Sequence, residues 1–393
     1  MIVLDYHDNL NNMFTRSLFK KALPSDSFFL WGPRQSGKST LLREKYPHAL
    51  WIDLLNTKNF LKYKEKPYLL REEIMATKNV THVIIDEVQK APLLLDEVHS
   101  LIESTNIIFG LCGSSARKIK RGHANLLGGR ALRYELFGLT ALEIGEKFDI
   151  TRILNHGYLP KHYIENNYKH RGNSYIEDYL KEEIFAEGLT RNLPAFSHFL
   201  RTVSFTDTEI IKYSNIAREC GVSEPTVKEY FQILFDTLLA RTLPSFRGRN
   251  KRRAIQAPKF YYSDIGIINI LSKRSNLSQG TPEFGKAFEN WVFHELCAYN
   301  LYFHRFAEIS YWRLASGIEV DFIINDCEVA IEAKSSQQIN DGHLKGLREL
   351  IKEHTVKKAM VVSLDEKRRV TNDGILILPY SEFTSELCIG TLF

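Results

Sequence analysis

The stretch FFLWGPRQSGKSTLL, residues 28–42, decides the fold of the first part of the chain. Its first four residues are apolar and predict a buried strand, and a helical pattern begins at about Lys38. Between them, Gly32, Gly37, Lys38 and Ser39 fill the spacing G-x-x-x-x-G-K-[ST]. This is the P-loop pattern, and it stands where that pattern requires, after a strand and before a helix.

The P-loop predicts that the protein binds ATP together with Mg²⁺. Glycines let successive backbone N–H groups curl toward the phosphates, and the N-terminal end of the following helix adds positive potential. Lys38 is expected to reach the β- and γ-phosphates, while the Ser39 hydroxyl ligates Mg²⁺. The residues predicted to hold the nucleotide are Gly32, Pro33, Arg34, Gln35, Ser36, Gly37, Lys38, Ser39 and Thr40.

A second strand-like run, HVIIDEVQ at residues 82–89, ends its apolar part in Asp86 and Glu87. In P-loop ATPases an aspartate at such a strand end supports Mg²⁺, and an adjacent glutamate can orient the attacking water. We assign these catalytic roles to Asp86 and Glu87, together with Lys38. The alternative is an ordinary acidic pair where a strand meets a loop. The position about fifty residues after the P-loop favours the catalytic interpretation.

A third apolar run, at residues 107–112, ends in Gly113, Ser114 and Ser115, which could contact the γ-phosphate or the attacking water. A basic loop follows and ends at Arg130. Arg130 is a candidate arginine finger, for its own nucleotide or for that of a neighbouring copy, and the alternative is a surface arginine near a turn. Because strands alternate with helical segments, the predicted fold is α/β, with a parallel sheet and the nucleotide at the carboxyl ends of the strands.

Four segments, GPRQSGKSTLL, VIIDEVQKAP, LCGSSARKI and LLGGRALRYELFGLT, together resemble a large prokaryotic family of AAA-type P-loop ATPases. In that family an ATPase domain precedes a poorly understood C-terminal region. The resemblance continues through HGYLP at residues 156–160, SYIEDYLKEEI and TRNLPAF, and covers nearly the whole chain. It implies an AAA-like ATPase domain over residues 1–149 but does not supply a substrate.

Residues 150–258 are predicted to form a helical domain with a winged helix. A helix over residues 214–220, a turn at Gly221 and a second helix capped by Ser223 give a helix-turn-helix pattern. A basic stretch at residues 246–259, with six Lys or Arg and no acid, resembles the wing. The wing is predicted to contact a nucleic-acid backbone through its phosphates, with Arg249, Lys251, Arg252 and Arg253 as the contacting residues. The alternative is that the winged helix is a structural lid and the basic loop is solvated.

Residues 259–393 are predicted to form an α/β domain that contains a β-hairpin. Clean alternation predicts strands over residues 318–324 and 328–334, with a turn at 325–326 between them. A two-residue turn would place Glu332 opposite Glu319. Polar side chains would then share one face of the hairpin and apolar side chains the other.

Three carboxylates and one lysine would converge on the polar face, which is what a Mg²⁺-dependent nuclease needs. Asp321 on the first strand, with Glu332 and Lys334 on the second, resembles the PD-(D/E)XK nuclease fold. The resemblance implies that Asp321, Glu332 and Lys334 are catalytic. It also implies that Asp321, Glu332 and a helix carboxylate hold the metal, with Glu289 the first choice and Glu295 the second. No proline precedes Asp321, which is a departure from the pattern.

Three interpretations of this hairpin stay open. It is an active nuclease centre, an inactive nuclease-like fold kept for binding, or a plain solvated face with a Lys–Glu ladder. The predicted architecture is therefore an AAA-like P-loop domain, then a helical winged-helix domain, then an α/β PD-(D/E)XK-like domain.

The composition is that of a folded protein of two or three domains, with 44% apolar residues among 393. The net charge of +5 permits a polyanionic partner without demanding one. The five cysteines are scattered, which argues against a zinc site and a disulfide framework and favours a reducing, cytoplasmic setting. No apolar run of membrane-spanning length and no signal peptide is recognised, so no membrane partner is expected.

The preferred functional interpretation is ATP binding and hydrolysis coupled to action on nucleic acid, with DNA favoured and a nuclease domain as a further element. The alternative is an ATP-gated switch or scaffold whose inactive nuclease-like domain binds a protein partner. Either interpretation allows a homo-oligomer.

Overall fold

The computed structural model describes residues 14–115, 127–180, 192–248, 252, 254–274 and 276–393, with the backbone alone for 178–180. The chain divides into two compact units. The first consists of Met1–Leu139 and Ile233–Leu239, and the second of Thr140–Gln232 and Ala240–Phe393. This division into two units differs from the three domains predicted, whose boundaries were placed after residues 149 and 258.

The first unit is built on a five-stranded sheet. Its strands are β1 (Phe28–Trp31), β2 (Leu50–Asp53), β3 (His82–Asp86), β4 (Ile108–Gly113) and β5 (Leu132–Glu135). They pair in parallel in the order β2-β3-β4-β1-β5. The parallel α/β fold predicted for this part of the chain is confirmed.

Helices connect the strands of the first unit, namely α1 (Lys38–Lys45), α2 (Thr57–Glu65), α3 (Leu69–Ala76) and α4 (Leu94–Ser104). Strand β1 is buried on both faces, as expected for the centre of a parallel sheet. Phe28 stacks on Tyr46, just after α1, with ring centroids 5.8 Å apart. Phe29 stacks on Trp31 at 5.3 Å, in the core that includes residues of α3 and α4. This packing fixes the strand from which the P-loop departs.

The second unit begins with a series of helices. They are α5 (Ala141–Ile144), α6 (Ile150–His156), α7 (Pro160–Ile164), α8 (Tyr168–Ser174), α9 (Leu193–Ser204), α10 (Tyr213–Cys220) and α11 (Glu224–Asp236). A π-helical turn follows α8 at Tyr175–Leu180. The last residues of α11, from Ile233, belong to the first unit.

Helices α10 and α11 occupy the predicted helix-turn-helix segment. Gly221 takes the left-handed conformation (φ 65°) that ends α10, where glycine has no steric penalty. The backbone N–H of Thr226 donates to Ser223 Oγ at 3.3 Å, so Ser223 caps α11 as predicted. Two antiparallel strands follow, β6 (Ala240–Leu243) and β7 (Lys259–Tyr262). The predicted boundary after residue 258 falls between these paired strands.

A six-stranded mixed sheet forms the rest of the second unit. Its strands are β8 (Ile309–Arg313), β9 (Glu319–Ile324), β10 (Val329–Lys334), β11 (Lys358–Ser363), β12 (Arg369–Val370) and β13 (Leu376–Pro379). They lie in the order β12-β13-β11-β10-β9-β8. The accompanying helices are α12 (Ile265–Leu271), α13 (Pro282–Tyr302), α14 (Lys345–Glu353) and α15 (Tyr380–Ile389).

The β9–β10 hairpin differs from the prediction in register. Val329 pairs with Ile324, and Ile331 with Phe322, so the turn has four residues and not two. Two of them, Asn325 (φ 52°) and Cys327 (φ 57°), are left-handed. Continuing this register places Glu332 opposite Asp321, so the predicted pairing of Glu332 with Glu319 is wrong by two residues. An even shift keeps each side chain on its predicted face.

The basic stretch between β6 and β7 is attached to the six-stranded sheet. The backbone N–H of Phe246 donates to the Tyr311 carbonyl at 2.7 Å, and that of Ile255 donates to the Arg313 carbonyl at 2.8 Å. Phe246 is buried in the core of this sheet. The two described ends of the segment are therefore hydrogen-bonded to the six-stranded sheet.

The charged residues of this stretch are partly engaged. Arg252 forms ion pairs with Glu349 at 2.9 Å and with Glu353, both on α14. Lys259 is buried in β7. The predicted phosphate contacts Arg249, Lys251 and Arg253 lie outside the described residues.

Among the helices that the structure describes, none combines the length and the apolar character needed to span a membrane.

Candidate functional site

The P-loop of the first unit has the backbone geometry that its sequence predicts. Gly37 (φ 93°) and Gln35 (φ 62°) are left-handed, which curls the chain before α1. A Cβ on Gly32 would lie 2.5 Å from the Leu136 carbonyl oxygen, so only glycine fits there. Ser36 Oγ donates to the Pro33 carbonyl at 2.8 Å and holds the curl.

Lys38 lies inside this loop. Its Nζ donates to the carbonyl oxygens of Gly32 at 2.8 Å and of Pro33 at 3.0 Å, and the residue is buried. Because α1 begins at Lys38, the ammonium group and the N-terminal end of a helix meet at one place. This is an anion-binding arrangement.

Ser39 and Asp86 meet at the carboxyl end of β3. Ser39 Oγ donates to Asp86 Oδ2 at 2.7 Å, although 47 residues separate them in the chain. Cys112 Sγ donates to Asp86 Oδ1 at 2.7 Å, and burial, with the Asp86 charge, raises the pKa of this thiol well above its usual value. A hydroxyl and a carboxylate are hard oxygen ligands, so these residues fit Mg²⁺.

Glu87 follows β3 in a left-handed conformation (φ 59°, ψ 43°) and is buried. Gln89 Nε2 donates to Glu87 Oε2 at 2.5 Å and to Ser114 Oγ at 3.2 Å. A Cβ on Gly113 would lie 2.1 Å from Gln89 Oε1, so Gly113 leaves the room that Gln89 occupies. Sequence analysis gave Gln89 no role, although it ends the segment that carries Asp86 and Glu87.

Arg16 is a second residue that sequence analysis missed. Its guanidinium donates to the Ser36 carbonyl at 2.6 Å and to the Phe137 carbonyl at 2.6 Å. The residue is buried and ties the P-loop to the segment after β5. An isolated arginine 20 residues before Ser36 carries no sequence signal of this contact.

The structure does not bring Arg130 to the P-loop of its own chain. Arg130 forms a half-exposed ion pair with Glu103 at 2.8 Å. Leu132, two residues later, pairs with Phe28 at the start of β1, whereas the P-loop follows the end of β1. Arg130 thus lies at the amino-terminal ends of the strands, whereas the P-loop lies at their carboxyl-terminal ends. This position contradicts an arginine finger in cis. A finger offered to a neighbouring copy stays a prediction.

The second unit holds a group of buried and half-buried carboxylates, which we call the carboxylate centre and define by Glu289, Glu319, Asp321 and Glu332. Lys259 lies among the first three. Its Nζ is 2.9 Å from Glu289 Oε1 and 3.7 Å from Asp321 Oδ1, and it also pairs with Glu319. Sequence analysis missed this lysine as a member of the centre.

Lys334 neutralises the other side of the centre. Its Nζ is 2.5 Å from Glu332 Oε1 and 3.6 Å from Asp321 Oδ2. The backbone N–H of Ala333 donates to Asp321 Oδ2 at 2.9 Å. Asp321 and Glu332 are only 5% and 6% exposed, so the interpretation of this face as a solvated ladder is wrong.

Burial and neighbouring charges shift the pKa values of the carboxylates in the centre in different directions. Burial raises the pKa of Glu332 to about 8, with a contribution from Asp321, and raises that of Glu289 to about 7. Burial acts against the ionised form of Asp321 too, but Lys334 and Lys259 keep its pKa below the usual value. Burial also opposes the charged form of Lys259, but Glu289, Asp321 and Glu319 together raise its pKa, so the ammonium form persists.

The predicted metal ligands of this centre fit a metal only in part. One oxygen from each of Glu289, Glu319 and Asp321 lies within 4.8 Å of the others, which suits a cation. The Lys259 ammonium, however, contacts all three carboxylates. In this arrangement the residues do not fit Mg²⁺, because a positive charge already lies between the ligands.

The second-choice helix carboxylate, Glu295, lies elsewhere. Its Oε1 accepts from the backbone N–H of Ala141 at 2.7 Å and from Trp291 Nε1 at 3.1 Å. It caps the start of α5 and does not join the carboxylate centre. Glu289 does join it, and Tyr261 OH donates to Glu289 Oε1 at 2.6 Å.

Three family models match successive parts of the chain. A family model described as an AAA domain matches residues 25–145. Two models described as domains of unknown function, DUF8612 and DUF4143, match residues 147–278 and 284–383. The family match, the parallel sheet and the P-loop together define the first part of the chain as an AAA-type P-loop ATPase domain.

Two curated relatives are uncharacterized proteins, Rv2008c of Mycobacterium tuberculosis and Mb2031c of Mycobacterium bovis, each 24% identical over 308 residues. The match covers 75% of this chain and 66% of each relative, which is less than two thirds of their length.

Two solved structures show a weak likeness. The ORC1 protein of Aeropyrum pernix in complex with DNA is 12% identical, with 65% of this chain and 88% of that chain covered and a TM-score of 0.29. A signal transduction ATPase with a tetratricopeptide repeat sensor, from Pyrococcus horikoshii, is 16% identical, with 72% and 48% covered and a TM-score of 0.19. TM-scores this low do not establish a common fold.

Proposed function

We propose that the protein hydrolyses ATP with Mg²⁺ at the P-loop of its first unit. The contact of Ser39 Oγ with Asp86 Oδ2 carries this proposal, because it joins two oxygen ligands suited to Mg²⁺ beside the phosphate-binding loop. Ser39 and Asp86 would hold Mg²⁺, which would supply positive charge against the negative charge that develops on the phosphates. Lys38 would exchange the carbonyl groups of Gly32 and Pro33 for phosphate oxygens.

Glu87 is proposed to orient the attacking water, and Gln89 to position Glu87. The water oxygen bonds to the γ-phosphorus while the bond from that phosphorus to the bridging oxygen breaks, and a proton of the water passes to Glu87. The products are ADP and inorganic phosphate. The hydrogen bonds of Gln89 to Glu87 and Ser114 support this assignment, because they fix the carboxylate beside the end of β4. A fixed carboxylate needs little reorganisation during the reaction.

The substitution Glu87→Gln tests this proposal. The variant is expected to bind ATP with unchanged affinity and to lose turnover by about 100-fold or more, because the amide cannot accept the water proton. Single-turnover hydrolysis and equilibrium nucleotide binding are measured side by side. Glu72→Gln, which changes an exposed glutamate on α3, is the matched control and should behave as wild type. Undiminished hydrolysis by Glu87→Gln would contradict the assignment.

The second unit is proposed to bind nucleic acid. The order of α10, turn, α11, β6 and β7 supports this proposal, because a helix-turn-helix followed by a strand pair is typical of DNA-binding modules. The six basic residues between residues 246 and 259 supply charge for phosphate contacts, although Arg252 and Lys259 are engaged within the protein. Binding is expected to depend on charge and not on sequence.

A triple substitution in the basic stretch tests nucleic-acid binding. Replacing Arg249, Lys251 and Arg253 by Ala should weaken binding of duplex DNA and reduce its salt dependence by roughly 0.9 per lost phosphate contact in log–log slope. Fluorescence anisotropy over a salt series measures both. The control removes the same charge from three exposed lysines of this unit, Lys352, Lys357 and Lys367. Equal effects of the two triple variants would argue against a specific contact.

Cleavage of nucleic acid is not included in the proposed function. The proximity of Asp321, Glu332 and Lys334 supports a nuclease-like centre, but the Lys259 ammonium opposes a metal there. We therefore propose binding without cleavage. The test exposes linear, single-stranded and branched DNA to the protein with Mg²⁺ or Mn²⁺, with and without ATP. Cleavage that disappears in Asp321→Asn would overturn this choice.

A second candidate function is an ATP-gated switch that binds a protein partner. The ion pairs of Arg252 with Glu349 and Glu353 favour it, because they engage part of the charge that a nucleic acid would need. Absence of DNA affinity in every nucleotide state, with ATP hydrolysis intact, would select this candidate.

A further inference from the structure

Lys259 occupies an unusual position for a basic residue. It is 2% exposed, and its ammonium group contacts carboxylates from α13 and β9. A lysine is almost never this deeply buried without partners, since desolvation of the charge is costly. Here the partners are three carboxylates, and one of them, Glu289, also accepts a hydrogen bond from the Tyr261 hydroxyl. The Lys259 ammonium and the carboxylates therefore stabilise each other's charges in the buried site.

The position of the ammonium group is that of a metal ion bound by the same ligands. The three carboxylate oxygens lie within 4.8 Å of one another, a spacing that a bound Mg²⁺ or Mn²⁺ also requires. An ammonium and a divalent ion cannot both lie between them, because two like charges at a few ångströms repel strongly in a buried site. One of the two must be absent.

Charge balance favours the ammonium group. The centre contains four carboxylates, and three cations face them, namely Lys259, Lys334 and Arg313, which pairs with Glu319 at 2.6 Å. Cations of the protein therefore offset three of the four negative charges without any added ion.

We propose that Lys259 is a tethered cation that takes the place of the metal in the carboxylate centre, so that the wild-type centre binds no divalent ion. This inference does not depend on ATP hydrolysis in the first unit. It makes a specific claim about one residue: removal of the Lys259 charge, and not of the nearby Lys334 charge, opens a divalent-ion site.

Binding of Mn²⁺ to the nucleotide-free full chain tests the inference, with bound ion counted by electron paramagnetic resonance. Wild type and Asp321→Asn should bind the same amount of Mn²⁺. Lys259→Met should gain one ion per chain, and the gain should vanish in Lys259→Met/Asp321→Asn. Lys334→Met is the matched control, because Lys334 also faces Asp321, and it should gain none.

Either of two results obtained with folded protein would overturn the proposal. One is Mn²⁺ bound to wild type and lost in Asp321→Asn, which needs no lysine variant to be folded. The other is a folded Lys259→Met that gains no ion. If Lys259→Met does not fold alone, Mn²⁺ should restore its folding, measured by thermal unfolding, because the ion replaces the missing charge. Failure of the ion to restore folding would count against the proposal.

Discussion

At the scale of single residues, Glu295 illustrates how the second unit treats a buried carboxyl group. It lies in α13, is 4% exposed, and accepts hydrogen bonds from Ala141 and Trp291. Burial raises its pKa to about 8, and Glu143 adds to the effect. The folded protein therefore holds a proton here that the unfolded chain releases near pH 4.5.

This difference predicts a pH-dependent stability. Between about pH 4.5 and pH 8 the folded state binds the additional proton, so the free energy of unfolding should fall as pH rises, by at most roughly 1.4 kcal/mol per pH unit. Above pH 8 the dependence from this group should cease. Glu295→Gln keeps an acceptor without the charge, so it should equal wild type near pH 4.5 and exceed it near pH 9.

Urea unfolding of both proteins across this pH range measures the effect. Glu366→Gln, which changes an exposed carboxylate, is the control and should follow wild type. Parallel pH profiles of wild type and Glu295→Gln would show that the carboxyl ionises without cost to the fold.

Some site residues could be predicted from the sequence, and others could not. Lys38 and Ser39 are fixed by a local strand-loop-helix turn, and Asp86 is fixed by the end of the next strand but one in the sheet. These relations are local or follow from parallel-sheet geometry. Arg16 and Lys259 act through contacts with residues 121 and 30 positions away, for which a single sequence carries no pattern.

At the scale of secondary-structure elements, the packing of α14 on β9 depends on Gly346. A Cβ at this position would lie 1.9 Å from the Glu319 carbonyl oxygen, so the helix and strand touch backbone to backbone. Gly285, near the start of α13, differs, because its Cβ would meet only Ser335 Oγ at 3.5 Å. The same substitution should therefore act in opposite directions at the two glycines.

Gly346→Ala is expected to destabilise the second unit by about 1–3 kcal/mol, because α14 must shift away from β9. Gly285→Ala is expected to be neutral or to stabilise it by up to about 1 kcal/mol, because alanine favours the helix. Chemical denaturation of the two variants provides the comparison. Similar stabilities would mean that α14 adjusts without loss of packing.

For the β9–β10 hairpin, the bounds of the strands could be predicted from the sequence but their register could not. Alternation in the sequence places both strands within one residue of their observed bounds, because burial of one apolar face sets the period. The register was missed because the turn uses left-handed Asn325 and Cys327, and cysteine gives no signal for that conformation. Asp321 and Glu332 became direct neighbours as a result.

At the scale of the whole molecule, the division into units could not be predicted from composition or spacing. The first unit includes Ile233–Leu239, about a hundred residues after the rest of it ends at Leu139. Ser115 Oγ donates to the Asp236 carbonyl at 3.2 Å within this unit. The segment Ile233–Leu239 thus joins the P-loop domain through contacts for which its own sequence carries no pattern.

ATP should protect the first unit because the nucleotide binds there. With ligand at about 100 times its dissociation constant, the binding unit gains about 2.7 kcal/mol. Hydrogen exchange followed by mass spectrometry should show slower exchange over β1, β3 and β4 when ATP and Mg²⁺ are added. Lys38→Ala should show no such change, since the ammonium group that meets the phosphates is lost. Equal protection in this variant would place the nucleotide elsewhere.

The stacking of Trp31 on Phe29 has a practical consequence for spectroscopy. The chain has four tryptophans, and Trp31 is the one that directly precedes the P-loop. Its indole lies in the core at the end of β1, whereas Trp291 and Trp312 lie in the core of the second unit. With Trp51 replaced by Phe, Trp31 is the sole indole of the first unit. A change in tryptophan emission between nucleotide-free and nucleotide-bound protein then reports on the mouth of the nucleotide site against the constant emission of the two indoles of the second unit, with no attached dye.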